Sequence, residues 1–142
     1  MIKTESLIIQ KGNQMPLQLL CHLFGDYILQ SSWMANNKTK RWLPAIVHAC
    51  VYFLPFLFII HPSLVATLVM IGTHAVIDRF RLSRYVAYSG HFLAPPSEWK
   101  SWTDCSGTGY HKDTPPFLAV WLMIIVDNTM HLTINALALA YL

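Results

Sequence analysis

Three apolar segments of the chain each carry a histidine and an aspartate four residues apart, and this spacing constrains the fold more than any other feature. The pairs are His22 with Asp26, His74 with Asp78 and, in reverse order, Asp127 with His131. Residues four apart lie on one face of an α-helix, about one turn from each other. Burying such groups in an apolar environment is costly unless something compensates them. The pattern therefore predicts helices whose polar side chains converge on a shared site.

The composition favours a protein that faces lipid. Hydrophobic residues make up 54% of the 142 residues and charged residues only 12%, whereas a soluble domain has about 25% charged residues. The net charge of +3 is small and scattered, which argues against a nucleic-acid partner. Three cysteines at unrelated spacings, without a CxxC motif, argue against a disulfide framework. We expect an integral membrane protein.

Four apolar segments predict an all-α fold, an integral membrane bundle of about four transmembrane helices, in a single membrane domain over residues 1–142. The segments cover residues 16–35, 43–60, 63–80 and 115–142. The first segment contains histidine, aspartate and glutamine side chains. A short or re-entrant helix is therefore the alternative for that segment.

Two further stretches are predicted to lie outside the hydrocarbon core. Residues 1–15 are expected to form a polar lead-in. Residues 81–114 are expected to form a cytoplasmic loop, whose prolines, glycines and tryptophans indicate an irregular and partly interfacial structure. The cytoplasmic side follows from the positive-inside rule, because the loops after the first and third segments carry eight of the ten lysines and arginines.

The polar side chains within the apolar segments are candidate metal ligands. They are His22, Asp26, His48, His74, Asp78, Asp127 and His131. A rise of about 1.5 Å per residue puts them at overlapping depth in the cytoplasmic half of the membrane. Imidazole nitrogen and carboxylate oxygen bind Zn²⁺, and also Mn²⁺ or Fe²⁺ where carboxylates are plentiful. A divalent metal is the predicted cofactor, with zinc favoured and manganese or iron as alternatives.

A metal in such a site predicts hydrolytic chemistry. A metal-bound water is a nucleophile near neutral pH, so we expect a hydrolase acting on a lipid or a lipid-linked phosphate or ester at the cytoplasmic leaflet. His48 and Asp26 are the predicted catalytic residues, with His48 either a ligand or a general base. Lys38, Arg79 and Arg81 are candidates for attracting an anionic head group. Topology anchors are the better fit for the three arginines Arg79, Arg81 and Arg84. Membrane lipid is the expected partner.

Other interpretations of the same residues stay open. Ion or proton conduction uses histidine and aspartate within the membrane, but it predicts polar groups across the full bilayer depth. The pairs could instead be structural contacts between helices. A non-enzymatic small membrane protein that modulates an envelope partner would depend on residues 81–114 rather than on the polar set. The sequence specifies neither a protein partner nor an oligomeric state.

The order of these residues resembles a known family. The chain reads His22-Leu-Phe-Gly-Asp26-Tyr-Ile-Leu-Gln30, then Trp33-Met34-Ala35, Asn37-Lys38, His48, His74-x-x-x-Asp78 and Asp127-x-x-x-His131. This pattern, from about residue 17 to about residue 140, is similar to the domain of unknown function 3307 family. The family tends to have glutamine where this chain has Asn128.

The resemblance implies a small protein of bacteria or their phages that crosses the bacterial inner (cytoplasmic) membrane several times. It also implies that the helices share a polar site. It implies no established activity. A weaker similarity to membrane-bound metal-dependent hydrolases, which share intramembrane histidine and aspartate residues, adds to the expectation of a hydrolase.

Overall fold

A computed structural model describes residues 14–142, in which every regular element is a helix. The helices are α1 (Gln14–Leu23), α2 (Ser32–Asn37), α3 (Trp42–Ile59), α4 (Leu64–Phe80), α5 (Ser83–Ser89), α6 (Trp102–Cys105) and α7 (Pro116–Tyr141), with a π-helical turn at Phe24–Ile28 and 3₁₀ turns at Gly90–Leu93 and Pro96–Glu98. The all-α prediction is confirmed for this part of the chain. The polar lead-in predicted over residues 1–15 lies outside the described residues, apart from the first two residues of α1.

The first apolar segment does not form one continuous helix. α1 has ten residues and passes into the π turn, where Leu29 N donates a hydrogen bond to Phe24 O at 2.9 Å. Ser31 then starts a new helix, because its side-chain oxygen accepts a hydrogen bond from Met34 N. The helix is therefore shorter than the apolar segment predicts, and the short alternative fits the structure.

Two helices in the described residues are long and apolar enough to cross a membrane, α3 and α7. α4 has 17 residues and α1 has ten. At about 1.5 Å per residue, these two are about 26 Å and about 15 Å long, against a hydrocarbon core of about 30 Å. Length and composition thus give weak support for membrane association, and the four-span bundle stays a prediction.

The described residues separate into two compact units. The first contains the helices up to Arg79 together with Leu132–Leu142, and the second is Phe80–His131. The buried apolar core of the first unit consists of Cys21, Tyr52, Phe53, Phe56, Ala66, Met70 and Ala138. Small residues such as Ala45 and Ala49 are fully buried on α3, and small side chains let neighbouring backbones approach closely. This packing brings polar groups from separate helices within reach of one another.

Aromatic stacking and arginine hydrogen bonds organise the stretch that was predicted to be an irregular loop. The rings of Tyr85 and Trp102 stack with their centroids 4.7 Å apart. Arg81 and Arg84 donate hydrogen bonds to the carbonyl oxygens of residues 107 and 106, at 3.0 Å and 3.1 Å. These arginines, predicted as topology anchors, therefore stabilise the backbone of the second unit.

Candidate metal centre

Four side chains of the first unit converge in a buried group that we call the His/Asp cluster: Asp26, His48, His74 and Asp78. Asp26 comes from the π turn and His48 from α3, while His74 and Asp78 come from successive turns of α4. Their exposed fractions are between 0% and 6%. Isolated charges and polar groups are rarely buried this completely, so the cluster requires internal compensation.

The donor atoms of the cluster lie at the separations expected of ligands around one small cation. His48 Nε2 is 3.0 Å from Asp26 Oδ1, 3.1 Å from His74 Nε2 and 3.2 Å from Asp78 Oδ2. His74 Nε2 is 3.2 Å from Asp78 Oδ2 and 3.6 Å from Asp26 Oδ1. Tetrahedral zinc with bonds of about 2.0–2.2 Å requires ligand atoms about 3.3–3.6 Å apart. The cluster has close to this spacing.

Hydrogen bonds alone do not account for this convergence. A ring nitrogen of histidine either donates one hydrogen bond or accepts one. His48 Nε2 nevertheless has four polar atoms within 3.2 Å, since Lys38 Nζ lies 3.1 Å away in addition to the three cluster atoms. A cation shared by the four donors would satisfy all of them at once, because imidazole and carboxylate both bind metals through these lone pairs.

Comparison with known proteins places the chain in a family. The family described as "Protein of unknown function (DUF3307)" matches residues 15–142. The chain belongs to this family. The predicted resemblance to this family is thereby confirmed, and the matched range includes the whole His/Asp cluster. The similarity to membrane-bound hydrolases stays a prediction. No curated protein and no solved structure matches the chain.

In this DUF3307 chain, His22 lies beside the cluster and is held by a buried hydrogen-bond chain. Asn135 Nδ2 donates to the Tyr52 hydroxyl at 2.6 Å, and the hydroxyl lies 2.9 Å from His22 Nδ1. Since Asn135 supplies its own hydrogen, the hydroxyl can donate its hydrogen to Nδ1. The Nε2 atom of His22 then carries a hydrogen and faces Asp26 Oδ2, 3.7 Å away. His22 is therefore positioned to orient Asp26 from outside the cluster.

Tyr52 also supports the cluster through its ring. The ring stacks on the imidazole of His74, with centroids 3.8 Å apart and planes 18° apart. The residues predicted from the sequence do not include Tyr52, Asn135 or Gln18. The amide of Gln18 donates to Leu132 O at 2.8 Å. Each of the three lies four residues from a predicted histidine, so extending the four-residue pattern to all polar side chains would have found them.

Asp127 and His131 form a pair within the second unit. Asp127 Oδ2 lies 3.5 Å from His131 Nε2, one turn apart on α7. The side chain of Asp127 is 23% exposed, whereas that of His131 is 2% exposed. The four-residue spacing thus makes a local contact here, as it also does for His74 and Asp78. Their predicted role as metal ligands stays a prediction.

We expect Tyr52→Phe to lower stability without removing the ring that stacks on His74. The change deletes the hydroxyl that joins His22 to Asn135, and loss of a buried hydrogen-bond partner costs about 1–3 kcal/mol. Thermal unfolding of the purified protein measures the effect. Tyr141→Phe is the matched control, because Tyr141 is 80% exposed. Equal unfolding temperatures for the two variants would contradict a structural role for this hydrogen-bond chain.

Proposed function

We propose that this DUF3307 chain is a metal-dependent hydrolase embedded in the membrane, acting on a lipid or a lipid-linked phosphate or ester at the cytoplasmic leaflet. The observation that carries the proposal is the convergence of four buried side chains, in which each imidazole nitrogen lies 3.0–3.6 Å from the other nitrogen and from an oxygen of each carboxylate. Two nitrogen and two oxygen donors at this spacing suit zinc, and manganese or iron would bind with added water ligands.

Each residue of the His/Asp cluster has a separate task in this proposal. His48, His74 and Asp78 would hold the cation, with Asp26 Oδ1 as the fourth donor, and the bound metal would supply an activated water and polarise the substrate. Asp26 presents Oδ1 to the cluster, while its Oδ2 faces His22. That second oxygen is suited to accept a proton from the attacking water, and the His22 imidazole fixes its orientation. His48 serves as a ligand in this arrangement.

The outer surfaces of α3 and α4 are apolar, as expected for helices in a membrane. Large apolar side chains are exposed on them, among them Phe58 at 71% exposure and Leu64 at 74%. The second unit adds residues 85–97, which contain no lysine, arginine, aspartate or glutamate. Leu93, at its centre, is 93% exposed. Apolar surface of this extent marks contact with lipid or protein.

In the proposal α3, α4 and α7 cross the inner membrane, while α1 and the π turn enter it and return.

Metal content and hydrolysis, measured on the same preparation, test the function. The full chain, purified in a non-ionic detergent and incubated with zinc before desalting, is expected to retain one metal ion per chain. It is expected to hydrolyse a short-chain phosphatidic acid or ester, to lose this activity on chelation and to regain it with added metal. A protein that retains no metal under these conditions would refute the proposal.

A further inference from the structure

Lys38 extends a fixed positive charge to the edge of the His/Asp cluster. Its ammonium nitrogen lies 2.9 Å from Asp78 Oδ2 and 3.1 Å from His48 Nε2. The Lys38 side chain is 16% exposed, whereas the four cluster residues are 0–6% exposed. Lys38 is therefore the most accessible member of the polar group and marks the side from which another molecule would reach it.

The structure holds Lys38 in this position from both sides. On one side, Lys38 N donates to Met34 O at 2.8 Å, which closes the last turn of α2. On the other, Arg79 Nη1 donates to the carbonyl oxygen of Thr39 at 2.9 Å and so ties the turn after α2 to the end of α4. Holding a long lysine side chain in one position costs side-chain entropy. At Lys38 the hydrogen bonds on either side already hold the backbone, so only the side chain has to be ordered.

The charges that the first unit brings to the His/Asp cluster favour an anionic ligand when a metal is bound. The two carboxylates of the cluster would balance a divalent cation, and the ammonium of Lys38 adds one positive charge beside them. That charge lies close to the cation, where the low local dielectric strengthens repulsion. A neutral carboxylic ester would leave the imbalance in place. A phosphate group would remove it, because its oxygens can contact the metal and the ammonium together, and lysine is a common phosphate ligand.

We propose that Lys38 is the anion-binding residue of this centre, and that the substrate class is a phosphate ester rather than a carboxylic ester. The proposal rests on the proposed metal-dependent function. In the metal-free protein, Lys38 neutralises Asp78. In the loaded protein it binds a phosphate oxygen of the substrate. Lys40 and Arg41, exposed on the same turn, attract anions towards this edge without reaching the cluster.

Phosphate binding to the zinc-loaded full chain tests the proposal without using activity. Inorganic phosphate, a non-hydrolysable phosphonate analogue of a short-chain phosphatidic acid and the matching uncharged diacylglycerol are titrated by calorimetry in a non-ionic detergent, with metal content measured on each sample. Lys38→Met is expected to keep one zinc ion per chain and to bind phosphate at least about tenfold more weakly, a loss of about 1.4 kcal/mol. Lys40→Met, the matched control, should bind like the unaltered chain. Lys38→Arg should recover part of the affinity.

The outcomes separate the two proposals. Tighter binding of inorganic phosphate identifies a free phosphate as the ligand, and tighter binding of the phosphatidic acid analogue identifies a lipid-borne phosphate. Either result supports an anion site. Equal phosphate binding by Lys38→Met and Lys40→Met, with zinc retained, overturns the role of Lys38 and leaves the hydrolase proposal intact. The role of Lys38 in anion binding is also overturned if folded Lys38→Met loses zinc and Lys38→Arg restores it. Lys38 would then only hold the cluster together. An unaltered chain without metal overturns both proposals.

Discussion

Asp78→Asn is expected to leave the protein folded and to remove the metal from the His/Asp cluster. Asparagine keeps the shape of the side chain but replaces the charged oxygen that lies 3.2 Å from the Nε2 atoms of both His48 and His74. Loss of an outer-sphere partner of a metal ligand typically weakens binding about 10–100-fold. Loss of the ligand itself should exceed this range, so we expect zinc affinity to fall more than about 100-fold.

Metal content after desalting, together with zinc titration against a competing chelator, measures this change. Asp113→Asn is the matched control, since the Asp113 side chain is 82% exposed and the chemical change is identical. Helical content from circular dichroism separates loss of the metal from loss of the fold. Stoichiometric zinc in Asp78→Asn at unaltered affinity would exclude the His/Asp cluster as the metal centre.

Zinc affinity measured on Asp127→Asn tests whether Asp127 holds metal as Asp78 is expected to. The sequence presents the two His/Asp pairs as equivalent. Spacing of four residues identifies side chains on one face of a helix, and the structure has both Asp78 and Asp127 beside the histidine one turn away. Spacing along one helix contains no information on which faces of different helices meet. That depends on where small residues let backbones approach, so the contact of His48 with Asp26 and with His74 could not be derived from the sequence alone.

Lys38 makes a second contact that the sequence does not specify. The sequence marks it as a candidate for attracting an anionic head group, in a basic stretch where lysine usually anchors a membrane helix. It does not mark Lys38 as a neighbour of the His/Asp cluster. The structure instead interrupts the first segment at the π turn, and the Ser31 cap starts α2. This short helix brings Lys38 back towards α3 and α4. Apolar composition predicted a helix through this region, whereas the structure packs Gly25 of the π turn against the backbone of α3. Local propensity does not reveal such a contact between helices.

Gly25→Ala is expected to disturb both stability and metal binding, because Gly25 touches the backbone of α3. A Cβ atom at this position would lie 2.5 Å from Tyr52 O and 2.9 Å from Tyr52 Cα. Backbone atoms in the middle of a helix cannot move aside as a flexible side chain would, so the π turn must shift away from α3. Overpacking of this kind costs about 1–3 kcal/mol. The shift also carries Asp26, the next residue, away from His48.

Gly72→Ala provides the matched control. A Cβ atom at Gly72 would meet nothing within 4 Å, and alanine in a helix interior is more favourable than glycine by about 0.5–1 kcal/mol. Thermal unfolding with and without zinc measures both effects. We expect Gly72→Ala to unfold at or above the temperature of the unaltered chain and to keep the full rise in unfolding temperature on adding zinc.

Gly25→Ala should unfold at a lower temperature and lose most of that rise, because stabilisation by a ligand depends on its affinity for the folded state. Productive metal coordination tolerates errors of only about 0.2 Å in ligand position, less than the displacement needed to relieve the contact with Tyr52. A lower unfolding temperature with an unchanged zinc effect would mean that the close contact at Gly25 supports the fold but does not position Asp26. Identical behaviour of the two alanine variants would contradict the close packing of the π turn on α3.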